Sequence, residues 1–238
     1  MDSIDAFSLI RAPTARRPLL GQTVLVVEDS RFASEAVRMM CLRSGARIRR
    51  ADSLETAHRH LAICLPTVLI VDVGLPDGSG IDLITTIAEA APRIDVIVGT
   101  SGDGTQRAAV LAAGADDFIE KPVDSLVAFQ SVILAHLPAN CQPPTPRLIE
   151  DEVISPDLVV YQDDLNHIAQ VLDRDAGENT LDYVTQFLGG VARSARDYDM
   201  DRAVTCLAQI RNAGRNPDQG VASLSEMVQS RITAAGPI

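Results

Sequence analysis

Thr23-Val24-Leu25-Val26-Val27, followed at once by Glu28-Asp29-Ser30, is the stretch on which the fold turns. The run is short, rich in β-branched residues and lacks a polar alternation, which is how a strand buried on both faces of a parallel sheet reads. The design recurs along the chain. Val68-Leu69-Ile70-Val71 runs into Asp72, Asp95-Val96-Ile97-Val98 into Gly99-Thr100-Ser101, and Asp116-Asp117-Phe118-Ile119-Glu120 into Lys121-Pro122. Ala46-Arg47-Ile48 is a weaker segment that fits a second strand. Helical spacing lies between these runs, from Arg31 to Leu42, Ser53 to Ile63, Ile81 to Ala90 and Gln106 to Ala112. Strands alternating with helices predict a doubly wound α/β sheet of five parallel strands. The ligand site of such a sheet lies beyond the carboxyl ends of its strands. Glu28, Asp29, Asp72, Thr100 and Lys121 are therefore expected in one crevice, although they are spread over about ninety residues of sequence.

The residue types suggest the chemistry of that crevice. Of the 21 basic residues, Lys121 is the only lysine, which marks it as a place where a compact ammonium suits better than a planar guanidinium. Three carboxylates at one spot raise one another's pKa unless a cation intervenes. A hard divalent cation relieves this, and Mg²⁺ suits best because it keeps positions open for water and a phosphoryl group. An Asp carboxylate is a competent nucleophile towards phosphorus. Phosphoryl transfer otherwise needs positioning and charge neutralisation, which a metal, an ammonium and a hydroxyl can supply between them.

Four motifs carry a resemblance: Val24 to Ser30, Val71-Asp72-Val73-Gly74-Leu75-Pro76-Asp77-Gly78-Ser79-Gly80, Val98-Gly99-Thr100-Ser101, and Ala113-Gly114-Ala115-Asp116-Asp117-Phe118-Ile119-Glu120-Lys121-Pro122. In this order and at these separations, residues 22–137 resemble the receiver domain of bacterial two-component response regulators. The resemblance implies a flavodoxin-like strand order of 2-1-3-4-5. Asp72 would be the phosphoacceptor. Asp29 would ligate Mg²⁺ directly, Glu28 through water, Asp72 as a further ligand, and the backbone carbonyl of Gly74 would complete the protein's share. Thr100 would be the hydroxyl switch and Lys121 would pair with the phosphoryl group. Ser101 is the alternative hydroxyl, with Thr100 preferred because the apolar run ends just before it. Phe118 matches an aromatic position whose ring turns inward on activation, and the Lys121–Pro122 peptide is expected to be cis. Such a domain catalyses only its own phosphorylation and dephosphorylation, so no other enzyme activity is expected.

The chain of 238 residues favours two domains. Residues 1–21 read as an N-terminal extension, in which Ile4, Phe7, Leu9 and Ile10 suit a helical turn, and 22–137 as the receiver. Prolines at 138, 143, 144, 146 and 156 with Glu150-Asp151-Glu152 make 138–157 an acidic linker. Residues 158–238 read as a helical bundle, with helices near Asp163–Leu172, Thr180–Arg196, Asp201–Ala213 and Gly220–Ala234. The formal charge of −11 argues against nucleic acid as a partner. No apolar run reaches membrane-spanning length and no secretory signal is read, so a cytoplasmic location without membrane insertion is expected. Cys41, Cys64, Cys141 and Cys206 lie far apart and read as reduced thiols.

Within the helical part, Gln186-Phe187-Leu188-Gly189-Gly190 is similar to the histidine-phosphotransfer motif, with Gln186 at the histidine position and Gly189 at the lysine position. An amide has no nucleophilic ring nitrogen, so the match implies a phosphotransfer-type bundle without transfer chemistry. The plain alternative is that the two glycines allow close helix packing. His167, the only histidine of this region, reads as a surface or packing residue.

The sequence thus predicts a response regulator in which a partner histidine kinase or phosphotransfer protein phosphorylates Asp72. The face formed by the fourth helix, fifth strand and fifth helix then changes, and a helical output that does not bind DNA alters a homodimer contact or a docking surface. The rival expectation is a constitutive docking or dimerisation protein, or a phosphate sink, with a helical oligomerisation domain.

Overall fold

The computed structural model describes residues 12–144, 152–174 and 178–234. Its sheet contains β1 (Thr23–Val27), β2 (Arg47–Ala51), β3 (Val68–Asp72), β4 (Val96–Ser101) and β5 (Asp117–Glu120). All neighbours pair in parallel, in the order β2-β1-β3-β4-β5, as expected. A two-residue antiparallel ladder, Gly74–Leu75 with Gly78–Ser79, follows β3.

Alternation along the strands divides the core. Val24 and Val26 face α1 (Arg31–Ser44) and α5 (Leu126–His136), where Val37, Met40, Phe129 and Ile133 are buried. Leu25 and Val27 face the other side, with Ala57 of α2 (Leu54–Ile63), Leu83 and Ile84 of α3 (Gly80–Ala88) and Val110 of α4 (Arg107–Ala112). Local chemistry fixes where the helices begin. Ser30 caps α1 by accepting from Ala33 N, and Ser53 forms a capping box with Thr56 at α2. Gly45, at φ 84°, ends α1 in the left-handed conformation.

The flanks of this layer pack onto it. Leu19 and Ile154 are both buried in its core, and Val153 bridges to Ser125. Ile4, Phe7, Leu9 and Ile10 lie outside the described residues, as do Glu150 and Asp151.

Four helices follow: α6 (Leu158–Arg174), α7 (Glu178–Ser194), α8 (Tyr198–Asn212) and α9 (Asp218–Ala234). Each packs on the next and α6 on α9, closing a four-helix bundle. Leu165, Ile168, Val184, Leu188, Val191, Met200, Leu207 and Val228 fill its centre. Phe32 of α1 belongs to this second core, not to the first, and meets Tyr161 edge-on at 5.9 Å between ring centroids. The sheet layer thus contributes one of its own aromatic rings to the bundle.

Phe32→Ala removes that ring and is expected to lower the unfolding free energy by about 3 kcal/mol, a usual cost for a buried phenylalanine. Urea denaturation measures it, and an unchanged midpoint would contradict the shared core.

Candidate functional site

The five polar residues expected in one crevice do meet there. Glu28 and Asp29 follow β1, Asp72 ends β3, Thr100 pairs with Asp72 in the β3–β4 register, and Lys121 follows β5. Carboxylate oxygens of Glu28, Asp29 and Asp72 lie within 4.8 Å of one another. Lys121 Nζ stands 2.7 Å from Glu28 Oε2 and 3.1 Å from Asp72 Oδ2. Asp72 is 8% exposed and Lys121 6%, so this charge cluster is held mostly out of water.

Burial sets the protonation behaviour. Desolvation pushes Glu28 up to about 8, with Asp72 and Asp29 adding to the rise and Lys121 opposing it. Desolvation also pushes Asp29 up to about 7, helped by the Asp72 charge. For Lys121 burial pulls downward, but the Asp72 and Glu28 carboxylates outweigh it and the ammonium is held charged above its ordinary range.

The two hydroxyls differ. Thr100 Oγ1 is buried and has no hydrogen-bond partner, whereas Ser101 Oγ accepts from Asp103 N at 3.1 Å. Phe118 is 5% exposed and its ring lies in the core. The Lys121–Pro122 peptide is cis. Gly80 admits a close approach that any side chain would block, since a Cβ there would lie 1.9 Å from the Asp72 carbonyl oxygen.

The bundle closes over this crevice. Tyr183 of α7 donates its hydroxyl to Asp29 Oδ2 at 3.2 Å, and His167 Nε2 lies 3.2 Å from the same hydroxyl. Gln186 lies against Gly74 so tightly that a Cβ on that glycine would meet Nε2 at 1.7 Å. Arg193 lies over Gly102 in the same way, with Nε 2.4 Å from the place of a Cβ. Gly190 turns its bare face towards Lys121, the Nζ being 4.0 Å from where its Cβ would stand, while Gly189 packs near Val204 of α8. A cleft of about 510 Å³ remains, lined by Asp72, Lys121 and Ser101 on one side and by Gln186, Gly190 and Arg193 on the other.

Asp164 of α6 anchors the arrangement. Its carboxylate accepts from Ser30 Oγ at 2.8 Å, Arg31 N at 2.9 Å and Phe32 N at 3.0 Å. It thereby satisfies two of the free N–H groups at the start of α1. Burial raises its pKa, against the pull of these hydrogen bonds. Arg196, left-handed at φ 57°, reaches from the end of α7 to Asp124.

Tyr183, Asp164, Arg193 and Arg196 carry no mark in the sequence. Each is one polar residue on or beside an amphipathic helix, and the receiver residue it meets is far away along the chain. His167 is exposed as expected, but its link to Tyr183 was not foreseen.

The model of the response regulator receiver domain matches residues 24–132. Residues 24–132 are a response regulator receiver domain. The virulence transcriptional regulatory protein PhoP of Salmonella typhimurium LT2 is 36% identical over 100 residues, covering 42% of this chain and 45% of PhoP. The KDP operon transcriptional regulatory protein KdpE of Escherichia coli K12 is 31% identical over 99 residues, covering 42% of this chain and 44% of KdpE. The chain therefore spans less than half the length of these relatives. Among solved structures, the receiver domain of NtrX from Brucella abortus is 26% identical with a TM-score of 0.42, covering 47% of this chain and 92% of that one. The receiver match stops at residue 132, before the bundle begins at Leu158. None of the described helices is long and apolar enough to cross a membrane, and all four cysteines are free thiols.

Lys121→Met leaves the three carboxylates without their ammonium. The raised pKa values set the sign: the contribution of Glu28 and Asp29 to stability is full below their unfolded values near 4 and is lost as pH rises through about 7 and about 8. The variant should therefore lose about 3 kcal/mol at pH 8 and distinctly less at pH 5. Equal losses at both pH values, by chemical denaturation, would contradict the electrostatic account.

Proposed function

We propose that the protein is a two-component response regulator whose Asp72 accepts a phosphoryl group and whose receiver passes the change directly to the helical bundle. The observation that carries this reading is that α7 walls the cleft into which Asp72 opens. Asp72 Oδ attacks phosphorus, the new O–P bond forms, and the donor's bond to phosphorus breaks. A histidine kinase or phosphotransfer protein is the donor that suits a receiver. Lys121, 3.1 Å from Asp72 Oδ2, neutralises charge on the group as it arrives. Thr100, level with Asp72 and with a hydroxyl that bonds nothing, is the switch, in preference to the engaged Ser101. Phe118 already lies inside the core, so the larger rearrangement falls to Thr100 and the α7 contacts.

The donor set fits Mg²⁺: three carboxylates, oxygen only, with mutual repulsion that a hard cation relieves. Asp29 and Asp72 would hold it directly, Glu28 through water, and the Gly74 carbonyl would complete the set. When bound, the ion supplies charge neutralisation on the phosphoryl oxygens. Tyr183 shares Asp29 with that role, which ties metal binding to the seat of the bundle.

The contacts of the bundle support a route to the output other than the face of α4, β5 and α5 that the resemblance suggests. The bundle sits over the carboxyl ends of the strands and against α1, and it meets the β5–α5 connection at Asp124. We read the helical part as a protein-contact module with no role on DNA, on the strength of the chain's acidic charge. PhoP and KdpE are named as transcriptional regulators, but only their matched portion is shared.

With acetyl phosphate and Mg²⁺ the protein should take up one phosphoryl group, and Asp72→Asn should take up none; stoichiometric labelling of that variant would remove Asp72 from the role. Mg²⁺ should also raise the melting temperature by a few degrees at pH 8, where about 1 kcal/mol is worth that much. The shift should fade towards pH 5 as Glu28 and Asp29 protonate, and a shift independent of pH would count against these ligands.

A further inference from the structure

We propose that Gln186 orients the water that hydrolyses the acyl phosphate of Asp72, so that the bundle ends in cis the signal it receives. This rests on the reading of Asp72 as the phosphoacceptor.

Position is the first ground. Gln186 lies over Gly74, two residues beyond Asp72, at a distance that only a glycine permits: a Cβ would stand 1.7 Å from Nε2 and 2.4 Å from Cδ. The amide, Asp72 and Lys121 line one cleft. The cleft, at about 510 Å³, has room for a phosphoryl group and several waters. Gln186 is itself exposed, so solvent reaches it.

Direction is the second. In-line hydrolysis requires water on the side of phosphorus opposite the Asp72 oxygen. Asp72 ends β3, at the carboxyl edge of the sheet, and the wall facing that edge across the cleft is α7, with Gln186, Gly190 and Arg193.

Chemistry is the third. A glutamine amide offers one acceptor and two donors and does not titrate. It cannot take the phosphoryl group, as an imidazole at the same position could. It can hold a water by its hydrogen-bonding pattern, as glutamine does in GTP hydrolysis. The water oxygen bonds to phosphorus as the P–O bond to Asp72 breaks. The electron pair stays on the Asp72 carboxylate beside Lys121, and the proton of the water leaves with orthophosphate. Arg193 adds positive charge to the same wall: it lines the cleft, its Nη1 donates to Asp201 at 3.0 Å and its Nε–H, buried against Gly102, makes no hydrogen bond.

The test uses the full chain and Gln186→Ala. Both proteins are labelled with radiolabelled acetyl phosphate and Mg²⁺, the donor is removed, and decay of the acyl phosphate is followed. Hydrogen exchange of α7 is measured in parallel. Once labelled, the variant should lose its label about 10- to 100-fold more slowly than the wild type, with exchange in α7 unchanged. Decay at the wild-type rate would overturn the proposal. Slow decay accompanied by faster exchange throughout α7 would also overturn it, since the effect would then belong to a loosened bundle. A wild-type protein that takes no label would instead overturn the phosphoacceptor reading, and this proposal with it.

Discussion

Lys121 Nζ, 2.7 Å from Glu28 and 3.1 Å from Asp72, is the interaction on which the rest of the site depends. Three carboxylates gathered at the ends of β1 and β3 repel one another, and burial makes the repulsion costly. One buried ammonium offsets part of that charge and leaves the cluster unfinished. Glu28 and Asp29 are still pushed up to about 8 and about 7, chiefly by their burial. A compact, multiply donating head on a flexible stem suits this position, and the chain, otherwise restricted to arginine, uses its single lysine here.

The bundle is built around the same spot. Its α6 supplies the Asp164 carboxylate that caps α1, its α7 supplies the Tyr183 hydroxyl on Asp29, and α1 returns Phe32 to its core. Together they make Asp29 and the cleft beside Asp72 common to both parts. Two receiver glycines, Gly74 and Gly102, matter for the same reason: with side chains there, neither Gln186 nor Arg193 could lie as it does.

The fold was legible where one physical constraint dominated. β1, β3 and β4 are buried on both faces, and their unbroken apolar runs announced them. β2 is an edge strand carrying three arginines, so only its apolar start was visible. The convergence of Glu28, Asp29, Asp72, Thr100 and Lys121 followed from topology alone, since strand ends in a parallel sheet share one edge. The helices of the bundle were readable by their spacing, although α6 begins at Leu158, earlier than the spacing suggested. Gln186 was marked by its motif, but its place against Gly74 was not, and Asp164 and Tyr183 were invisible. Docking between two units is decided by single polar residues and shape, which leave no periodic trace in sequence.

Hydrogen exchange with and without Mg²⁺ and beryllofluoride, a phosphoryl mimic, tests most directly whether the receiver site is read by the helix that covers it. Coupling through the shared cleft predicts that exchange changes in α7 from Tyr183 to Arg196 and at the start of α1. A response confined to the sheet and the face formed by α4, β5 and α5, with α7 unaltered, would contradict it.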